Sequence, residues 1–140
     1  MLTACRFAVF SMVFLYASPR DGLAGQGVSI ELNNVRTVSG TCHASFLLRN
    51  DFAHTLDRFR LDLYIFGGDG VIKFRSNIDL APLRNDKSTV ITFRIAPEPC
   101  SSLSKVLVND IPQCRAEGGK ALDCLDGLAV SSRAPLALTK

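Results

Sequence analysis

The side chains with the widest chemical range in this chain are five cysteines, Cys5, Cys42, Cys100, Cys114 and Cys124, and two histidines, His43 and His54. Thiolates ligate metals, exchange disulfides and attack carbonyls, while imidazoles ligate metals and carry protons. Spacing sorts these options. Zinc sites use close pairs such as Cys-x2-Cys or a His-x3–5-His partner, whereas the nearest cysteines here are ten apart and the histidines fit neither pattern. A redox Cys-x-x-Cys is absent from the sequence. Nucleophilic hydrolysis needs a base and a group that orients the base, and there is no Gly-x-Ser-x-Gly elbow. His54 falls in the polar connection Asn50-Asp51-Phe52-Ala53-His54-Thr55, and His43 falls beside Cys42 on the outward side of a strand. Both read as solvated side chains.

The carboxylates give no stronger signal. Asp57, Asp62, Asp69 and Asp79 are scattered. Asp69 sits in Gly67-Gly68-Asp69-Gly70, which lacks the spaced oxygen ligands and closing Glu of a calcium loop. The same turn has no Gly-Lys-Ser/Thr and no following helix, so it is not a phosphate loop. The expectation is no catalytic, cofactor-binding or metal-ligating residue, and no enzyme. A small periplasmic hydrolase or thiol-redox enzyme is the alternative.

The amino-terminal residues decide how the cysteines are read. Arg6 precedes an apolar run from Phe7 to Ala17, and a short polar stretch leads to Gly22-Leu23-Ala24. This three-part layout predicts a signal peptide over residues 1–24. The run is shorter than the ~20 apolar residues that cross a bilayer. A single arginine before the run points to the general secretory route, not the twin-arginine one. Cys5 precedes the run, which is the wrong side for a lipid-modified cysteine. No Asn-x-Ser/Thr acceptor occurs, consistent with a bacterial periplasm. No second long apolar run follows, so no transmembrane segment is expected after signal removal.

In an oxidising compartment, four remaining cysteines imply two structural disulfides. Three pairings are open. The favoured one joins Cys114 to Cys124 across a tight loop and Cys42 to Cys100 across a long one. Charge adds an exclusion. The chain of 140 residues carries a net +3, and the leader holds Arg6, Arg20 and Asp21, so the remainder is close to balance. A nucleic-acid binder would show a marked basic excess or stripe. Residues 25–140 are long enough for one domain with one real core.

Those side chains must be positioned by strands, because alternation with period two runs through the chain. Phe59, Leu61, Leu63 and Ile65 point one way, while Arg58, Arg60, Asp62 and Tyr64 point the other. After the glycine-rich turn, Ile72, Phe74, Ser76, Ile78 and Leu80 alternate with Lys73, Arg75, Asn77 and Asp79. Together they predict a hairpin. Val28, Ile30 and Leu32 predict an earlier strand, Cys42, Ala44, Phe46 and Leu48 another, and Ile91, Phe93 and Ile95 a later one. Leu103 to Asn109 and Leu125 to Arg133 bring the total to about seven. Ala134 to Lys140 reads as an extended tail or a short edge strand, and Ser101 to Leu103 as at most one helical turn. The fold class expected is an all-β, immunoglobulin-like β-sandwich, with a small β-barrel as the alternative. The absence of tryptophan departs from an antibody-type core.

The stretch Leu61 to Ile95, with Leu-Asp-Leu-Tyr-Ile-Phe, Asp-Gly-Val-Ile, Leu-Ala-Pro-Leu and Thr-Phe-Arg-Ile, resembles small secreted proteobacterial proteins built on an immunoglobulin-like sandwich. Val106 to Cys114 and the segment from Asp123-Cys124-Leu125 to Ser131-Ser132-Arg133 are similar to the same group. The resemblance implies a fold and a compartment, and it carries no activity.

On the outer face of the predicted hairpin, Arg58, Arg60, Lys73 and Arg75 form a candidate anion-binding face for lipopolysaccharide phosphate, acidic peptide or polysaccharide. Interleaved Asp62 and Asp79 offer cross-strand ion pairs as the competing explanation. The function expected is an exported binding or accessory module with a protein or envelope-component partner, because the edges of a sandwich accept added strands. A structural envelope protein is a further alternative.

Overall fold

Burial follows the alternation closely enough to build eight strands. They are β1 (Val28–Val38), β2 (Thr41–Asn50), β3 (Leu56–Gly67), β4 (Ile72–Asp79), β5 (Lys87–Ala96), β6 (Leu103–Ala116), β7 (Ala129–Ser132) and β8 (Ala137–Thr139). The computed structural model describes residues 26–140. The expected signal peptide, with Cys5, lies outside the described residues.

Two four-stranded sheets result, ordered β5-β2-β1-β7 and β4-β3-β6-β8. They pack face to face as a sandwich and do not close into a barrel. Ile30, Leu32, Phe46 and Leu48 of the first sheet are buried, as are Phe59, Leu61, Leu63, Ile65 and Val106 of the second. Phe46 stacks on Phe93 of β5 with ring centroids 5.0 Å apart.

Local sequence explains the turns. Ser39 and Gly40 both have positive φ (47° and 76°), the two-residue hairpin geometry whose twist suits the strands it joins. In the β3–β4 turn, Gly70 has φ 79° and the Asp69 carboxylate accepts the Val71 N–H at 3.0 Å. Asp69 is therefore a turn former. A single 3-10 turn, Cys100–Ser102, leads into β6.

Two expectations need correction at the carboxyl-terminal half. β6 runs on past Asn109 to Ala116, because Pro112 sits where the β3–β6 register shifts and no ladder N–H is required of it. The strand expected over Leu125 to Arg133 shortens to β7, since Leu125 to Leu128 makes a turn in which the Leu128 N–H donates to the Leu125 carbonyl. The tail forms β8, a short edge strand as expected. β7 pairs parallel with β1, and β8 pairs parallel with β6. Between them the chain crosses from one sheet to the other, with the Ser132 hydroxyl donating to the Leu136 carbonyl. One flank of the sandwich is closed by this crossing. The other is bordered by β4 and β5.

Disulfides link Cys42 to Cys100 and Cys114 to Cys124, with Cα separations of 4.7 and 6.1 Å. The first ties β2 of one sheet to the segment entering β6 of the other. The second ties β6 to the loop before β7.

Candidate interaction surface

The outer face of β3 and β4 holds the residues singled out by charge. Cross-strand register places Tyr64 opposite Arg75, Asp62 opposite Asn77 and Arg60 opposite Asp79. Arg75 donates twice to Asp62, Nε to Oδ1 at 2.8 Å and a terminal nitrogen to Oδ2 at 3.1 Å. Asn109 of β6 donates to the same Oδ2 at 2.9 Å. The Arg75 guanidinium also lies 5.3 Å from the centre of the Tyr64 ring. Lys73 pairs with Glu98 at 3.0 Å. Arg58 donates to the Asp57 carbonyl, and Arg60 is exposed.

Two of the four expected cations thus carry their own carboxylates. Lys73 and Arg75 are neutralised locally, while Arg58 and Arg60 are exposed and enter no ion pair among the described residues. Asp62 differs from the solvated residue that alternation implied. It points outward, but its side chain is only 5% exposed because β4 and β6 flank it, while Arg75 covers it from solvent at 58% exposure. Hydrogen bonds from Arg75 hold the Asp62 carboxyl below its ordinary range, burial opposes this, and Asn109 assists it. Glu98 is likewise lowered, first by Lys73 and then by Ser102. A second cation, Lys105, lies 4.1 Å from the Phe66 ring centre.

The other chemistry-bearing residues are dispersed. His43 stands on the outer side at the start of β2, 3.3 Å from the Thr41 hydroxyl. His54 lies beyond the far end of β2, where its carbonyl accepts from the buried Asn50 side chain. Among the described residues no three His, Cys, Asp or Glu side chains cluster as a metal site. A depression of about 490 Å³ lies beside Asn109, with Asp123, Asp126 and Lys140 around Val108 and Leu125. All four cysteine sulfurs among the described residues are committed to disulfides. Among the described residues no helix is long and apolar enough to cross a membrane.

The surface that charge did not flag is the flank bordered by β4 and β5. Each is the last strand of its sheet. β4 carries Lys73, Arg75 and Asp79, all engaged, since the Asp79 carboxylate accepts from the Phe59 and Ala81 N–H groups. β5 is different. From Ser88 to Phe93 it runs six residues without charge, glycine or proline, and Val90 is 67% exposed on its outer side. A bare edge of this kind is what charged residues, prolines and bulges normally blunt. The signal was present in the sequence as Ser-Thr-Val-Ile-Thr-Phe, but its place at an edge is a matter of strand order.

Comparison with known protein families, with curated proteins and with solved structures finds no match.

Proposed function

We propose that this chain is an exported, periplasmic binding or accessory module of non-enzymatic type, which engages its partner by strand addition at the flank of β5. The observation that carries this reading is the six-residue uncharged run Ser88 to Phe93 along the edge strand β5, on a sandwich locked by two disulfides. Backbone N–H and C=O groups along an edge supply affinity, and alternate side chains supply selectivity. The disulfides favour an oxidising compartment. The neighbour orders β5-β2-β1 and β3-β6 support reading the sandwich as immunoglobulin-like, with β1, β2 and β5 in the places of strands A, B and E and β3 and β6 in those of C and F.

The test places a photoreactive side chain at Thr92 on β5, or at Ser131 on β7, in cells exporting the chain. Adducts of one defined mass from Thr92 and none from Ser131 are expected. Adducts from neither position, or a chain kept in the cytoplasm with its thiols reactive, refute the proposal.

A further inference from the structure

We infer that the β5 edge pairs with β5 of a second copy of this chain, antiparallel about a two-fold axis at Val90. This rests on the binding-module reading above and names the occupant of its flank.

A two-fold interface is self-complementary, so each residue meets its symmetry counterpart in reversed order. With the axis at Val90, Val90 faces its own copy and Ser88 faces Thr92, while Asp86, the turn residue just before β5, comes to the end of the joint beside Arg94. The outer side of the joint then holds an apolar centre, flanked by hydroxyl pairs and closed at both ends by opposite charges. The structure leaves these groups available. Asp86 accepts from Arg49 on the outer face of the same sheet and keeps 82% of its side chain exposed. Arg94 is exposed and enters no ion pair among the described residues. Other registers lose this match. Moving the axis to Thr89 sets Asp86 against Thr92, and moving it to Ile91 sets Arg94 against Ser88, so neither register keeps the opposite charges together.

Closure follows from the fold. Pairing consumes the β5 edge of both copies and yields one eight-stranded sheet, β7-β1-β2-β5 continued by its mirror order. Its outer strands are β7, only four residues long. β4 carries charged side chains along its length. The assembly therefore stops at two copies and does not grow into a fibre.

Sedimentation of the disulfide-intact mature chain, from micromolar to millimolar concentration, reads the association directly. A monomer–dimer equilibrium is expected. Val90→Lys abolishes it by placing two ammonium groups on the axis. Asp86→Lys or Arg94→Asp alone weakens it about tenfold, since each change converts two attractive pairs into repulsive ones. The double variant Asp86→Lys/Arg94→Asp recovers the dimer. All these sites are on the exposed face, and unchanged thermal unfolding of the monomer confirms folding. A chain that stays monomeric at every concentration overturns the inference, and the binding-module reading then stands or falls on its own crosslinks. A dimer indifferent to Val90→Lys, or a double reversal that fails to recover it, overturns the β5 joint.

Discussion

Removal of the Cys42–Cys100 disulfide tests the physical basis of this fold most directly. The substitution is Cys42→Ala with Cys100→Ala. Alanine is preferred to serine because the Cys42 side chain is fully buried, and a hydroxyl there would add a polar group without a partner. The bridge spans a sequence separation of 58, and loop-closure entropy for a crosslink of that length is worth about 4 kcal/mol. The Cys114–Cys124 bridge, with a separation of 10, is worth about 2.7 kcal/mol by the same relation. Net stabilities of small domains are roughly 5–15 kcal/mol. Losing the long bridge alone therefore removes a large fraction of the total. Losing both, about 7 kcal/mol, brings the chain near the point of unfolding. Geometry gives the same ranking. The long bridge joins β2 to the entry of β6, so its loop contains β3, β4 and β5 and constrains both sheets at once. The short one constrains a single surface loop.

The assay is urea unfolding of the two double-alanine variants beside the native chain at neutral pH. Midpoints should fall in the order native, short bridge removed, long bridge removed. A melting temperature lower by about 15 °C is expected for the last, taking about 4 °C per kcal/mol for a domain of this size. A long-bridge variant within about 1 kcal/mol of native, or one more stable than the short-bridge variant, refutes the reasoning. It would also weaken the case that an oxidising compartment is needed for folding.

Two further outcomes follow from named contacts. Asp62, Glu31 and Glu98 are all held below the ordinary carboxylate range, by Arg75, by Asn33 with Arg133, and by Lys73 respectively. Their contribution is complete above about pH 5 and is lost as pH falls through the lowered folded values. Arg75→Met removes the principal cause for Asp62 and leaves burial opposing its charge. The stability gap to native should be widest near neutrality and shrink on acidification, measured as melting temperature against pH; a gap independent of pH contradicts the assignment. Gly27→Ala would drive a methyl group onto the Gly127 carbonyl, at a point where the Gly27 carbonyl also accepts the Asp51 N–H. Because that neighbour is backbone and cannot rotate away, a loss of about 1–3 kcal/mol in urea unfolding is expected, and an unchanged midpoint contradicts the close approach.

What was legible in the sequence was local. Alternation at Phe59, Leu61, Leu63 and Ile65 located β3 and its inward face, because side-chain direction along a strand is fixed by the backbone period. Direction does not report burial. Asp62 points outward with Arg60 and Tyr64 yet is nearly enclosed, since enclosure depends on β4 and β6, which reach it from other parts of the chain. By sequence Asn50 opens a polar connection. In the fold it is buried, donating to the His54 and Leu83 carbonyls and accepting the Phe52 N–H, so it organises the crossing from β2 to β3. The path of β6 through Pro112, the late start of β7 and the parallel pairing of β7 and β8 escaped local pattern. Such pairings are set by partners distant in sequence.

The two flanks of the sandwich show why strand order carries more functional information here than any single side chain. On one flank β7 and β8 add parallel to β1 and β6, and buried Leu136 and Leu138 anchor the crossing between the sheets. That flank is covered by the chain itself. On the other flank the two bordering strands are treated oppositely. β4 bears cations and carboxylates that are already satisfied, which makes an added strand face fixed charges. β5 bears hydroxyls, β-branched side chains and one exposed valine, bounded by Lys87 and Arg94. A bare edge is an aggregation hazard unless something occupies it. In a chain whose opposite flank is closed and whose neighbouring edge is charged, an occupant for β5 is the consistent resolution, and a two-fold partner is the one whose register satisfies the terminal charges.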